Sequence, residues 1–140
     1  MPIRRVWPET VYQKILPPST KPPYAQVVEV TRPAGGTSIH VAGTFPGDVN
    51  WNLVGDGDMG AQVAAALDNI RLSLAAVGAQ VSDVVRVKFY VTDLPALIAN
   101  GVPEVDKFFG EHVPTSTAVQ VSGLAMPGAM VEIEAYAELT

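Results

Sequence analysis

Met130-Val131-Glu132-Ile133-Glu134-Ala135-Tyr136-Ala137-Glu138-Leu139 is the stretch whose reading decides the fold. Side chains of a strand alternate between its two faces. Val131, Ile133, Ala135, Ala137 and Leu139 therefore share one side, and Glu132, Glu134, Tyr136 and Glu138 the other. One face asks for a helix layer; the other asks for solvent or a partner. Asp83 to Thr92 repeats the pattern. Its alternation predicts Val85, Val87, Phe89 and Val91 on the inner face, with Val84, Arg86, Lys88 and Tyr90 opposite. Tyr90, Tyr136, Val84 and Met130 would lie among the charges of the second face, so full exposure of that face is not expected. Oligomerisation through it is.

Working outward, the covering helices come next. Met59, Val63, Leu67, Ile70, Leu74 and Val77 recur at three- and four-residue steps, which predicts a helix over 58–77. Asp58 suits its N-cap and Gly78 its C-terminal end. Gln62, Asp68 and Arg71 fall on other faces. A second helical pattern runs from Leu94 to Phe109 and is interrupted at Asn100-Gly101-Val102-Pro103, where Pro103 suits the first position of a short helix. Gly35-Gly36, between Val27-Val28-Glu29-Val30 and Ile39-His40-Val41, predicts a β-hairpin. Thr117 to Ser122 reads as one more strand. The expected order is β-β-α-β-α-β-β, an α+β fold with two helices on one face of a mixed sheet. Residues 1–20, closed by Pro17-Pro18, read as an extended N-terminal segment, and 21–140 as a single domain.

Composition narrows the function. The chain has 140 residues, 48% apolar and only 16% charged. About 25% charged is usual, so some surface is expected to be covered by another subunit. A net charge of −5 without any basic cluster longer than Arg4-Arg5 argues against nucleic acid and against acidic membranes. The absence of cysteine excludes disulfides, thiolate catalysis and cysteine-bound metal clusters. His40 and His112 stand alone, so no metal site is expected, and Asp56 and Asp58 read better as helix capping than as a calcium loop. No cofactor is called for. The N-terminal MPIRRVWPET lacks the apolar run of a signal peptide, and a cytoplasmic protein is expected.

Five segments then resemble a known family. Pro23-Tyr24-Ala25-Gln26 resembles its PYxQ motif, and Val41-Ala42-Gly43-Thr44-Phe45-Pro46 a VSGQxP strand end. Asp83 to Leu94 resembles DVVKxTVFLTDM. Phe108-Phe109-Gly110-Glu111-His112 and Val131-Glu132-Ile133-Glu134-Ala135 resemble FFGEH and VEIEA. The chain thus resembles the RidA/YjgF family of reactive imine/enamine deaminases, formerly called L-PSP endoribonucleases, over residues 21–139. That resemblance implies a chorismate-mutase-like fold. It also implies a homotrimer whose sheets line a central barrel, with clefts between subunits.

The resemblance also implies site residues. Glu132 matches the carboxylate that orients or activates the hydrolytic water; the competing reading is an ion pair with Arg86 or Lys88. Tyr24 matches a cleft-lining tyrosine; alternatively it is an interface aromatic. Gly43 and Thr44 match the point where backbone approaches substrate. In Pro114-Thr115-Ser116-Thr117-Ala118-Val119-Gln120-Val121, Ser116 stands where the family has an arginine that grips a substrate carboxylate. A serine hydroxyl cannot supply two parallel charge-assisted bonds. Ser116, Ala118 and Val119 complete the expected substrate-binding set. The expected function is hydrolysis of an enamine, imine or related labile C–N metabolite, with non-standard specificity. The alternative is a non-catalytic, small-molecule-binding or regulatory trimer. A ribonuclease ranks last, because the chain has no basic stripe. Trp51, in the long loop 43–58, reads equally as a lid or an interface anchor.

Overall fold

The last strand lies at the centre of the sheet. The structure, a computed structural model, describes residues 2–140. Six strands are present: β1 (Ile3–Val6), β2 (Val27–Thr31), β3 (Thr37–Thr44), β4 (Val84–Val91), β5 (Thr115–Gln120) and β6 (Val131–Leu139). They are ordered β1-β2-β3-β6-β4-β5. Only the β4–β5 pair is parallel. Helix α1 (Met59–Ala75) and a second helical segment cover one face. That segment comprises α2 (Leu94–Ala96), a π turn over Leu97–Gly101 and α3 (Val102–Phe109). This is the expected mixed α+β arrangement.

Helix α1 forms for the reasons its sequence gives. The Asp58 carboxylate accepts the Ala61 amide at 3.0 Å, satisfying a donor that the first turn would leave open. Val63, Leu67, Ile70 and Leu74 are fully buried against Ile39, Val87, Ile133 and Ala137 of the sheet. Burying such a side chain contributes about 1.5–3 kcal/mol each, so this stripe is a large share of what holds the layers together.

Four details differ from the sequence reading. First, β4 changes phase. A register shift between Val84 and Arg86 buries Val84 and leaves Val85 exposed, the reverse of strict alternation. A bulge adds a residue to one strand, so the side-chain phase slips there. Second, Gln62 is buried rather than on an outer face of α1. Its amide donates to the Gly55 and Gly128 carbonyls, and its oxygen accepts from the Met130 amide. It thereby fixes the start of β6 to the helix.

Third, the second helical segment is not broken at Gly101-Val102-Pro103. It widens into a π turn and continues. A Cβ on Gly101 would lie 2.7 Å from Leu97 Cδ1 and 3.1 Å from Val63 Cγ2, so the glycine permits close approach to α1. Fourth, the N-terminal segment is built into the fold. Ile3–Val6 pairs with Val27–Val30 of β2. Val11 and Tyr12 enter a second apolar cluster with Phe45, Met126 and Ala129.

Candidate functional site

Glu132 lies on the helix-free face of β6, in register with Tyr90 of β4. On its other side, β3 carries a bulge between Val41 and Thr44. That bulge brings Gly43 directly against the carboxylate. A Cβ on Gly43 would lie 1.9 Å from Glu132 Oε2 and 2.9 Å from its Cδ. The missing side chain is the space the carboxylate occupies. Glu132 is half-buried and makes no hydrogen bond or ion pair among the described residues. Burial pushes its carboxyl above the usual glutamate range, and the nearby Glu134 pushes in the same direction.

The ion-pair reading of Glu132 is not what the structure shows. The Lys88 ammonium sits over the Tyr90 ring at 4.9 Å, and the Arg86 guanidinium over the Tyr136 ring at 5.5 Å. Glu134, the next carboxylate on the face, is engaged by the Tyr90 hydroxyl at 2.5 Å. Glu132 is left as the unpartnered acid of the row.

A cleft of about 290 Å³ opens from Glu132 and Gly43. Lys14, Leu16, Tyr24, Phe45 and Trp51 also line it. Each aromatic wall residue is tied down. The Trp7 indole donates to the Tyr24 carbonyl at 2.7 Å. The Phe45 amide donates to the Tyr12 hydroxyl at 2.6 Å. Trp51 packs edge-on against Tyr12 and Phe45, with centroids 4.7 and 5.5 Å away. Its backbone sits at φ 66°, the left-handed region that bulky residues rarely enter. Asp48 holds it there: its carbonyl accepts the Trp51 amide, and its carboxylate accepts the Asn50 and Asn52 amides. The Tyr24 hydroxyl is pushed upward by burial first and by Glu132 second, so it stays a donor at neutral pH.

The structure brings Glu132, Tyr24 and Gly43 together. It does not bring Thr44, whose side chain is buried beneath the sheet. The Thr44 hydroxyl accepts from Gln26 Nε2 at 2.9 Å and donates to the Ala42 carbonyl at 2.6 Å. Gln26 also reaches Ser73 of α1 at 3.1 Å, so the glutamine of the PYxQ motif clamps strand to helix. Nor do Ser116, Ala118 and Val119 reach Glu132 within one chain. They lie on β5, the outer strand, with β4 between it and β6. Val119 and Glu132 flank Tyr90 from opposite sides, two strand spacings or roughly 10 Å apart. Ser116 and Ala118 pair with Val87 and Phe89, which puts them on the helix-side face, exposed at the edge.

Sequence reading missed Lys14, Leu16 and Phe45 and left Trp51 undecided. None of the four shares a strand or helix with Glu132, so no periodicity links them to it. A larger hollow of about 380 Å³ lies further along the same sheet face, between His40, Arg86, Lys88 and Tyr136. Its acid is Glu134, already bonded to the Tyr90 hydroxyl. Among the described residues no three histidine, aspartate or glutamate side chains gather to hold a metal ion. Among the described residues no helix is long and apolar enough to cross a membrane.

The family model described as Endoribonuclease L-PSP matches residues 11–139. The chain belongs to the RidA/YjgF (L-PSP) family. A RutC family protein of Pyrococcus abyssi is 35% identical over 115 residues, covering 82% of this chain and 85% of that one. A Mycobacterium tuberculosis member of the YjgF/YER057c/UK114 family is 35% identical, with a TM-score of 0.69 over 83% of this chain and 86% of that one. The YjgF gene product of E. coli superposes with a TM-score of 0.77 at 27% identity, covering 96% and 97% of the two chains. In this chain an unpartnered carboxylate, a donor hydroxyl and an aromatic wall line one cleft, and the carboxylate also borders a second hollow of about 350 Å³ with Tyr90 and Leu124. Such a set can take up a small organic molecule and pass protons to and from it.

The raised Glu132 carboxyl has a consequence for stability. A carboxyl whose folded pKa exceeds its unfolded value binds more protons when folded. Stability then falls as pH rises from the unfolded value through the folded one, and the penalty is full above that window. Glu132→Gln removes the ionised group. The variant is expected to melt above the parent near neutral pH, with the difference closing below about pH 4, the ordinary glutamate range. Thermal melts across that pH range check this; a glutamine variant that melts lower at neutral pH would contradict it.

Proposed function

We propose that this chain is a hydrolase of an imine, enamine or related labile C–N metabolite, working as a homotrimer with Glu132 as its acid–base group. One observation carries the reading. Glu132 is half-buried, unpartnered, raised in pKa and open to an apolar-walled cleft. A structural carboxylate would be paired or solvated; a catalytic one is kept available.

The chemistry needs only water and proton transfers: one imine and one water give one carbonyl compound and one ammonia. Glu132, protonated, delivers a proton to nitrogen and makes carbon electrophilic. Its carboxylate then takes a proton from the attacking water. The tetrahedral carbinolamine collapses when Glu132 protonates nitrogen again: the C–N bond breaks, ammonia leaves, and the hydroxyl proton returns to the Glu132 carboxylate as the C=O bond forms. For an enamine, Glu132 first delivers the proton to carbon, which yields the imine. Tyr24 donates to the developing oxygen, and the wall residues exclude bulk water. General acid–base help of this kind accelerates reactions by about 10²–10⁴-fold.

The trimer is supported by β5. This outer strand has no ladder partner on one side, and five of its six residues are exposed. Unprotected edges of this kind are usually covered. In a trimer, Ser116, Ala118 and Val119 would line the cleft of a neighbouring subunit. The binding-only alternative is favoured by Ser116, which brings no guanidinium there.

The test is an assay in which an amino-acid oxidase generates imines in the presence of the protein. Acidic, apolar and neutral imines are followed by carbonyl and ammonia release, with light scattering on the same sample. A trimer that accelerates release from at least one imine is expected. A trimer that binds the carbonyl products without accelerating any release would establish the alternative. A monomer at micromolar concentration would remove the shared cleft.

A further inference from the structure

We propose that the hollow between His40, Arg86, Lys88, Thr117 and Tyr136 is a second binding site, which takes the phosphoryl group of a small phosphorylated compound with hydroxyls on its body. The hollow has a volume of about 380 Å³ and shares no lining residue with the Glu132 cleft. Its chemistry is independent of the hydrolase reading. Four strands meet there. Arg86 and Lys88 of β4 stand opposite Tyr136 and Glu134 of β6. His40 of β3 pairs with Tyr136 from the other side, and Thr117 of β5 pairs with Lys88. Register partners share a face of the sheet, so the pairing gathers these side chains on the helix-free side.

Two cations of this hollow lack an acid. The chain has 14 acidic and 9 basic residues, yet neither Arg86 nor Lys88 forms an ion pair among the described residues. Glu134 lines the hollow without pairing with either, and its Oε1 accepts from the Tyr90 hydroxyl at 2.5 Å. The cationic heads lie over ring faces instead: Arg86 5.5 Å from the Tyr136 centroid, Lys88 4.9 Å from that of Tyr90. A ring face attracts the charge but is a weak acceptor for N–H donors, so the guanidinium fork stays open to an oxyanion. Tyr136, which carries Arg86, is itself fixed. Its hydroxyl bonds to Ser38 at 3.1 Å and to Glu138 at 2.9 Å, and its ring meets His40 edge-on at 4.9 Å. Arg86 and Lys88 donate from β4, and the Thr117 hydroxyl from β5. A phosphoryl group offers three acceptor oxygens in a tetrahedral array and can meet donors from more than one strand; a planar carboxylate offers two. The other Glu134 oxygen and the His40 and Tyr136 rings are left for a hydroxylated body. Ligand pockets run from about 300 to 1,000 Å³, so this one suits a compound the size of a pentose phosphate.

Calorimetry with ribose 5-phosphate, ribonate and ribose tests this. Ribonate carries a carboxylate on a similar body, and ribose carries no charge. Ribose 5-phosphate is expected to bind roughly tenfold or more tightly than either. Arg86→Gln and Lys88→Gln should each weaken it roughly tenfold, and Arg86→Lys should recover part of the loss. Arg5→Gln removes the same charge from the exposed strand β1 and should leave binding unchanged. Melts of each variant establish that it folds, and either glutamine variant alone decides the matter. Ribonate binding as tightly as ribose 5-phosphate overturns the proposal. So does an equal loss in Arg5→Gln, no loss in Arg86→Gln or Lys88→Gln, or no ribose 5-phosphate binding at millimolar concentration. A chain that binds ribose 5-phosphate through Arg86 and Lys88 but hydrolyses no imine keeps this site and removes only the hydrolase reading.

Discussion

Replacing Glu132 by glutamine is expected to lower kcat/KM for imine hydrolysis by about 10²–10⁴-fold, the range typical of general acid–base groups. The amide keeps the shape of the carboxylate and fills the same space beside Gly43. It cannot take a proton from water or return one to nitrogen. Because Glu132 has no protein partner, its loss leaves no orphaned group behind. Binding of a product-like keto acid should survive, and the fold should survive or become more stable. A steady-state comparison with matched melts reads both effects. Turnover within about threefold of the parent, far short of the general acid–base range, would remove Glu132 from the mechanism.

Gly43→Ala separates positioning from folding. Gly43 does not need a left-handed backbone, so alanine is conformationally acceptable there. The new methyl would meet the carboxylate end of Glu132, 1.9 Å from Oε2, and not the packed core. A flexible side chain can swing away at small cost in stability. The carboxylate then leaves its place, and a displacement of about 1 Å can cost roughly 10²-fold in rate. The expected result is a melting temperature near that of the parent with turnover about 10²-fold lower. Unchanged turnover would mean that Glu132 acts from some other position.

How much of this was legible in the sequence follows the range of each interaction. The alternation of 131–139 and the stripe from Met59 to Leu74 are local periodicities, and both appear where the residues put them. Departures arise where a distant partner decides. The bulge that swaps Val84 and Val85 is a property of the β4–β6 pairing, invisible in either strand alone. Gln62 reads as a surface residue until the Gly55 and Gly128 carbonyls and the Met130 amide surround it. Ile3-Arg4-Arg5-Val6 is too short and charged to announce itself, and β2 makes it a strand.

The site divides in the same way. Tyr24, Gly43 and Glu132 sit in recognisable motifs, and the structure places them around one cleft. Thr44 shares Gly43's motif, but the strand turns its side chain to the opposite face, where it holds Gln26. Lys14, Leu16, Phe45 and Trp51 reach the cleft from the N-terminal segment and the 43–58 loop. Loop packing obeys no period, so these residues could be found only in three dimensions. The Gly43 requirement was legible as a glycine but not for its reason: Glu132 itself fills the space.

In the proposed mechanism a raised, unpartnered Glu132 moves the protons of the reaction. The most direct test is the pH profile of kcat/KM for imine hydrolysis, corrected for the spontaneous rate, for the parent and for Glu132→Gln. The parent should show a limb with an apparent pKa above the ordinary glutamate range, and that limb should be absent from the glutamine variant. The same limb in both proteins would contradict the account.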